Sequence, residues 1–149
     1  MRITATRRNF RIAGHAIALA RTPEGVARAW AEDDSGLALA LGLMHANDRM
    51  VQMELLRLVG QGRLCECLKS SPEMFAIDVF IREMGFRRSA HLETADLTDR
   101  ARELAEAYTE GVNHVISRRR RPFEFALVGH KPEPWTVADT VITIKLMSY

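Results

Sequence analysis

Apolar residues return at a helical interval through one long stretch of the chain, and this constrains the fold more than any other feature. Leu37, Leu41, Met44, Val51, Leu55 and Leu58 follow one another at steps of four, three, seven, four and three. That is the spacing of one face of a helix. Asp33, Asp34 or Ser35 supplies the N-cap and Gly60 the stop. A helix over 35–59 is roughly 37 Å long and needs a large partner surface to cover it. Asp48 lies four after Met44 and three before Val51, so it is expected to point the same way as the leucines. A buried carboxylate must be paired or multiply hydrogen-bonded. Arg63 and Arg82 are the candidate partners, in a structural ion pair rather than a catalytic one.

Composition narrows the class. The 149 residues are one domain's worth, read as a single 1–149 unit with a strand pair in 10–31 and a helical region over 34–149. Hydrophobic residues at 47% and charged residues at 27% are globular values. Twenty-one basic against nineteen acidic residues give +2, too balanced for a dedicated nucleic-acid binder. No apolar run approaches the roughly 18 residues of a membrane span, so no membrane partner is expected. Charge is uneven, however: residues 1–30 hold Arg2, Arg7, Arg8, Arg11, Arg21 and Arg28 against Glu24 alone. Arg7-Arg8-Asn9-Phe10 followed by Ile12 to Ala20 imitates a twin-arginine leader. The apolar stretch is short and contains Gly14 and His15, so strands are the preferred reading there, on either side of a turn at Thr22-Pro23-Glu24-Gly25. Cytoplasm and periplasm both stay open.

Further on, Gly62–Leu68 reads as a short helical turn, and 74–93 as one or two helices interrupted near Gly85. Ala101, Leu104, Tyr108, Val112 and Val115 form a second stripe, with Thr98 as N-cap and Arg118 to Arg121 at the negative end of the helix dipole. Pro122 stops that helix, and 122–135 is expected to be irregular. Thr136-Val137-Ala138-Asp139 resembles a capping box opening a last apolar helix through Ile142, Leu146 and Met147. That helix still runs at Tyr149, which suggests a piece of something longer.

Standard reaction motifs are missing. There is no Gly-x-Ser-x-Gly elbow, phosphate loop, dinucleotide fingerprint or His-Glu-x-x-His. Cys65 and Cys67 stand two apart without a second pair for zinc, and the five histidines are scattered, so no metal site is expected and the thiols read as structural.

The order of several blocks does carry a resemblance. Glu24-Gly25-Val26, the run from Gly42-Leu43-Met44-His45-Ala46-Asn47-Asp48-Arg49 to Leu55, and Gly62-Arg63-Leu64-Cys65-Glu66 resemble the alpha chain of penicillin amidases. Asp78 to Arg82, Glu106 to Asn113, Phe123-Glu124-Phe125 and Pro132-Glu133-Pro134-Trp135-Thr136 continue it over about 10–149. The departures are Ala27-Arg28, where the family has Pro-His, and the two cysteines, at positions more often small or apolar. The resemblance implies an α+β, mostly helical chain that completes the layered αββα fold of an N-terminal nucleophile hydrolase together with a beta chain. It implies an autoprocessed heterodimeric acylase that hydrolyses a linear amide and removes an acyl group from a beta-lactam, homoserine lactone or similar amine. The nucleophile is then the beta chain's first residue, with its own amino group as base, and no catalytic residue belongs to this chain. Met147 matches a pocket methionine, with Tyr149 beside it, as substrate-binding residues. Asp48 and Arg49, Glu54 and Arg57, and Arg63 and Glu66 read as structural ion pairs and caps. No cofactor is expected. Calcium is bound in some members, and no ligand for it is identified here. The competing reading is a non-catalytic helical homologue acting as an interaction module.

Overall fold

Alternation of residues over 8–31 sets two faces of a sheet, one of which carries Ile12, Ile17 and Leu19 into the core. In the computed structural model, which describes residues 7–118 and 122–149, the strands are β1 (Arg8–Ile12), β2 (His15–Arg21) and β3 (Ala27–Ala31). They form an antiparallel sheet in the order β1-β2-β3, so the expected pair gains a third strand. The extra hairpin closes through Ala13 and Gly14, both at positive φ (52° and 86°), with Ile12 opposite His15. Two residues at positive φ suit the twist of a tight hairpin. The second connection falls on the expected turn. There Gly25 (φ 90°) donates to the Thr22 carbonyl at 2.9 Å, and Val26 donates to Thr22 Oγ1 at 3.2 Å.

The helices are α1 (Asp34–Gln61), α2 (Leu64–Cys67), α3 (Pro72–Met84), α4 (Phe86–Ala95), α5 (Asp99–Arg118), α6 (Phe123–Leu127) and α7 (Val137–Ser148). The chain divides into two compact units, Met1–Asp48 with Asp99–Arg119 and Arg49–Thr98 with Arg120–Tyr149. Arg119 to Arg121, three of the four arginines of the expected run, lie outside the described residues.

The long helix differs from expectation in three ways. First, Arg49 has non-helical angles (φ −132°, ψ 21°), so α1 is two helices merged across a kink rather than one straight rod. Second, the stop is Gly62, not Gly60. Gly62 is left-handed (φ 64°) and donates to Val59 O at 2.8 Å, while Arg63 donates to Leu58 O at 2.9 Å. This pair of bonds is a Schellman closure. Gly60 instead makes room, because a Cβ there would stand 2.3 Å from Ile142 Cγ2. Third, the buried face is rotated from the leucine stripe. Of the stripe, Met44 and Leu58 are buried as expected, but Leu37, Leu41 and Leu55 are exposed, and Leu39, Leu43, Met50 and Met53 are buried in their place. A spacing that fits one face fits its neighbour almost as well when both are apolar, and the sequence alone does not choose between them. At the start, Asp33 is the cap: its Oδ1 accepts from the Gly36 N–H at 2.6 Å.

In the first unit α1 and α5 meet through glycine. A Cβ at Gly42 would lie 2.0 Å from the Tyr108 carbonyl oxygen, and one at Gly111 2.0 Å from that of Leu39. The α5 stripe is largely as expected, with Val112 and Val115 buried beside Ala107 and Gly111. In the second unit Gly85 (φ 71°) separates α3 from α4 as expected. Ser71 caps α3, accepting from Met74 N at 3.2 Å, with Pro72 next to it in the first turn. The 122–135 stretch, expected to be irregular, contains the short α6. Thr136 and Asp139 form the reciprocal capping box of α7.

Candidate functional site

Three carboxylates of the second unit are stripped of water: Glu54 at 0%, Asp78 at 5% and Asp139 at 4% exposure. Burial at this level demands partners. Glu54 and Arg57 are three apart on α1, so they share a face, and Glu54 Oε2 meets the guanidinium at 2.6 Å. His130 directs Nε2 at Glu54 Oε1, 2.7 Å away, and its ring packs edge-on against Phe125. Arg57 also donates to the carbonyls of Glu133 and Pro134 at 3.2 Å each, lies 3.5 Å from Asp139 Oδ2 and stacks over Trp135 at 5.1 Å. Gln61 completes the cluster with 2.6 Å to Asp139 Oδ1. One arginine thus ties α1 to the Glu133–Trp135 segment and to the first turn of α7. The Glu54–Arg57 pair is legible in the sequence from its spacing. His130 and Asp139 are not, since 76 and 82 residues separate them from their partners.

Asp78 does a different job. Its two carboxylate oxygens accept from the Leu64 and Cys65 amides, each at 2.9 Å, at the start of α2. Arg82, one turn later, donates Nε to the Gly62 carbonyl at 2.8 Å. Side chains of α3 therefore satisfy the backbone around the α1–α2 junction, where a short helix leaves donors without partners.

The ion-pair residues singled out in the sequence lie apart. Asp48 is exposed, and Arg21 of β2 grips both its oxygens, at 2.7 and 2.5 Å. The same arginine reaches the Gly25 carbonyl at 2.7 Å and so holds the β2–β3 turn. Neither Arg63 nor Arg82 is the partner that Asp48 was expected to have. The partner lies on a strand 27 residues upstream, beyond any helical spacing rule. Arg49 is exposed at the kink. Arg63 bridges Glu66 at 2.7 Å and Glu133 at 3.0 Å. Hydrogen bonds from Arg63 hold both carboxyls below the ordinary range. In the first unit, burial pushes the His45 imidazole down and the Tyr108 phenol up, and the two groups meet at 3.1 Å. In the second unit, burial raises the Cys67 thiol. Cys65 and Cys67 are free.

The two residues expected at the substrate, Met147 and Tyr149, are both 74% exposed at the end of α7. Tyr149 lies against Phe80 of α3 and Phe86 of α4, with ring centroids 6.1 and 6.0 Å away. Among the described residues no group of three His, Cys, Asp or Glu side chains is placed to hold a metal ion, and no helix is long and apolar enough to cross a membrane.

The fold matches a solved structure, the thermostable penicillin G acylase from Alcaligenes faecalis, with a TM-score of 0.81 and 25% identity, over 89% of this chain and 72% of that one. The α+β class expected from the blocks is therefore the class observed. Residues 16–149 match the family model for penicillin amidase, and the chain belongs to that family. Similar proteins include the acyl-homoserine lactone acylase QuiP of Pseudomonas aeruginosa, 36% identical over 112 residues. Another is the penicillin acylase 2 proenzyme of Pseudomonas sp. strain SE83, 34% identical over 112 residues. Each alignment takes in 74% of this chain but only 13% and 14% of those proteins, so the chain spans a small part of the relatives it matches.

Proposed function

We propose that this chain is the alpha-subunit region of an autoprocessed acylase, a heterodimer that hydrolyses a linear amide and releases an acyl group from an amine. The observation that carries this reading is a difference in coverage. Alignments that take in 74% of this chain cover only 13–14% of two acylases, whereas a match to 89% of it covers 72% of the solved acylase chain. That polypeptide is therefore several times shorter than the relatives, as a processed subunit would be, and one relative is named a proenzyme. On this reading a beta chain from the same precursor completes the layered αββα fold and brings an N-terminal Ser, Cys or Thr. Its free amine takes the proton as the hydroxyl or thiol attacks the amide carbonyl. The acyl group passes to the nucleophile, the amine leaves, and water releases the acid.

The contribution of the present chain is scaffold and selectivity. Arg57, Glu54, Asp78 and Arg63 fix the helices, and the end of α7, with Met147 and Tyr149, governs which acyl group is accepted. Substrates on this reading are acyl-homoserine lactones, penicillins or similar acylated amines, the first two being the compounds for which the relatives are named.

Denaturing mass spectrometry of the native protein, with N-terminal sequencing of whatever accompanies this chain, tests the proposal. A second chain beginning with Ser, Cys or Thr, together with release of acid from acyl amides, is the expected result. A single species with no hydrolysis would overturn it.

A further inference from the structure

The two faces of the β1-β2-β3 sheet differ in chemistry. Residues paired across antiparallel strands share a face. The register therefore sets Arg11 beside Ala16, Asn9 and Trp30 on either side of Ala18, and Arg28 beside Ala20. Arg7, two before Asn9, belongs to the same row, and its guanidinium stacks over the Trp30 ring at 4.9 Å. The opposite, inner face carries Ile12, Ile17 and Leu19 into the core. The outer face thus has a floor of alanines on β2, a partly exposed Trp30 and the guanidiniums of Arg7, Arg11 and Arg28, with no carboxylate among its strand residues. Arg21, on the inner face, finds Asp48 within this chain. Arg11 and Arg28 are exposed, and among the described residues neither has an ion pair.

We infer that this outer face docks an acidic segment of the beta chain, with Arg11 and Arg28 paired to its Asp or Glu side chains and Trp30 covered by it. The inference rests on the reading that a beta chain from the same precursor completes the layered fold. Two observations favour that occupant. First, alignments that take in 74% of this chain cover only 13% and 14% of two relatives, so most of an acylase of their size lies outside it. A sheet already packed through one face offers its other face to the next layer. Second, the charge has no answer within this chain. A guanidinium in water needs no partner, but one covered by protein must meet a carboxylate to offset its lost hydration. Side chains as small as alanine also let another backbone approach closely. Anionic lipid fits less well, because a lipid-binding cluster carries roughly four to eight basic residues, and the basic residues of this face are Arg7, Arg11 and Arg28 alone.

The test uses the intact acylase, native and as the conservative variants Arg11→Lys and Arg28→Lys, which keep the charge and add an amine. Treated with a water-soluble carbodiimide, each variant should form an amide between the new amine and an Asp or Glu of the beta chain, located by peptide mass spectrometry. In the native protein, phenylglyoxal should modify Arg11 and Arg28 roughly tenfold more slowly than in the urea-unfolded protein, as covered groups do. Absence of any second chain would defeat the reading of the protein as a heterodimer, and this inference with it. A second chain with no cross-link, and with both arginines reacting as fast as in the unfolded protein, would show an open face. The docking surface would then be wrong while the heterodimer stands. Slow modification without a cross-link, or cross-links confined to this chain, would also overturn it, because what covers the face would then not be an acidic segment of the beta chain.

Discussion

The two halves of α1 are held by opposite means. Before the kink at Arg49 the helix approaches α5 so closely that Gly42 and Gly111 have no room for a side chain. The ion pair of that half, Arg21–Asp48, sits at the surface, with 26% and 29% of the two side chains exposed. After the kink the helix carries Glu54 and Arg57, at 0% and 2%, into a cluster with His130 and Asp139. Apolar contact needs only shape. Buried charge needs every partner in place, and removal of one strands the others. The lesson is that two ion pairs on one helix, nine positions apart from Asp48 to Arg57, have very different consequences for stability.

Breaking the buried cluster should produce the largest effect. Arg57→Ala leaves Glu54 and Asp139 without their cation and is expected to cost about 3–5 kcal/mol, read as a fall in the thermal midpoint of the intact protein. Gly42→Ala comes next. The added methyl meets backbone rather than a movable side chain, so a loss of roughly 1–3 kcal/mol is expected, and a denaturant midpoint measures it. An unchanged midpoint would show that α1 and α5 do not approach as closely as described.

The third prediction concerns pH. Arg63 holds the Glu66 and Glu133 carboxyls below the unfolded value of 4.5. Their contribution to stability is complete above that value and fades as pH falls through their lower folded values. Melting curves from pH 7 down to 3 should therefore lose stability more steeply in the native protein than in Arg63→Gln. Equal slopes would remove Arg63 from the account of acid sensitivity.

The smallest effect belongs to the exposed pair. Asp48→Asn should change stability by about 0–1 kcal/mol, as surface pairs do. A loss as large as that of Arg57→Ala would erase the contrast between the two halves of the helix.

What the sequence settled was local. The Thr136–Asp139 capping box, the break at Gly85, the turn at Thr22–Gly25 and the α5 stripe depend on neighbours within a few residues, whose spacing is written in the chain. The ordered blocks also placed the chain in its family, because a series of exact local matches needs no geometry. Tertiary structure decided the rest. It turned α1 to bury Leu39 and Leu43 instead of Leu37 and Leu41, and it chose Arg21 for Asp48. It also brought His130 and Asp139 to a glutamate and an arginine some eighty positions away. Helical periodicity names an apolar face only to within a neighbouring row of side chains, and charge can be paired from any element that folds back within reach. Which row is covered and which partner arrives depend on packing between distant segments, and no local spacing encodes that.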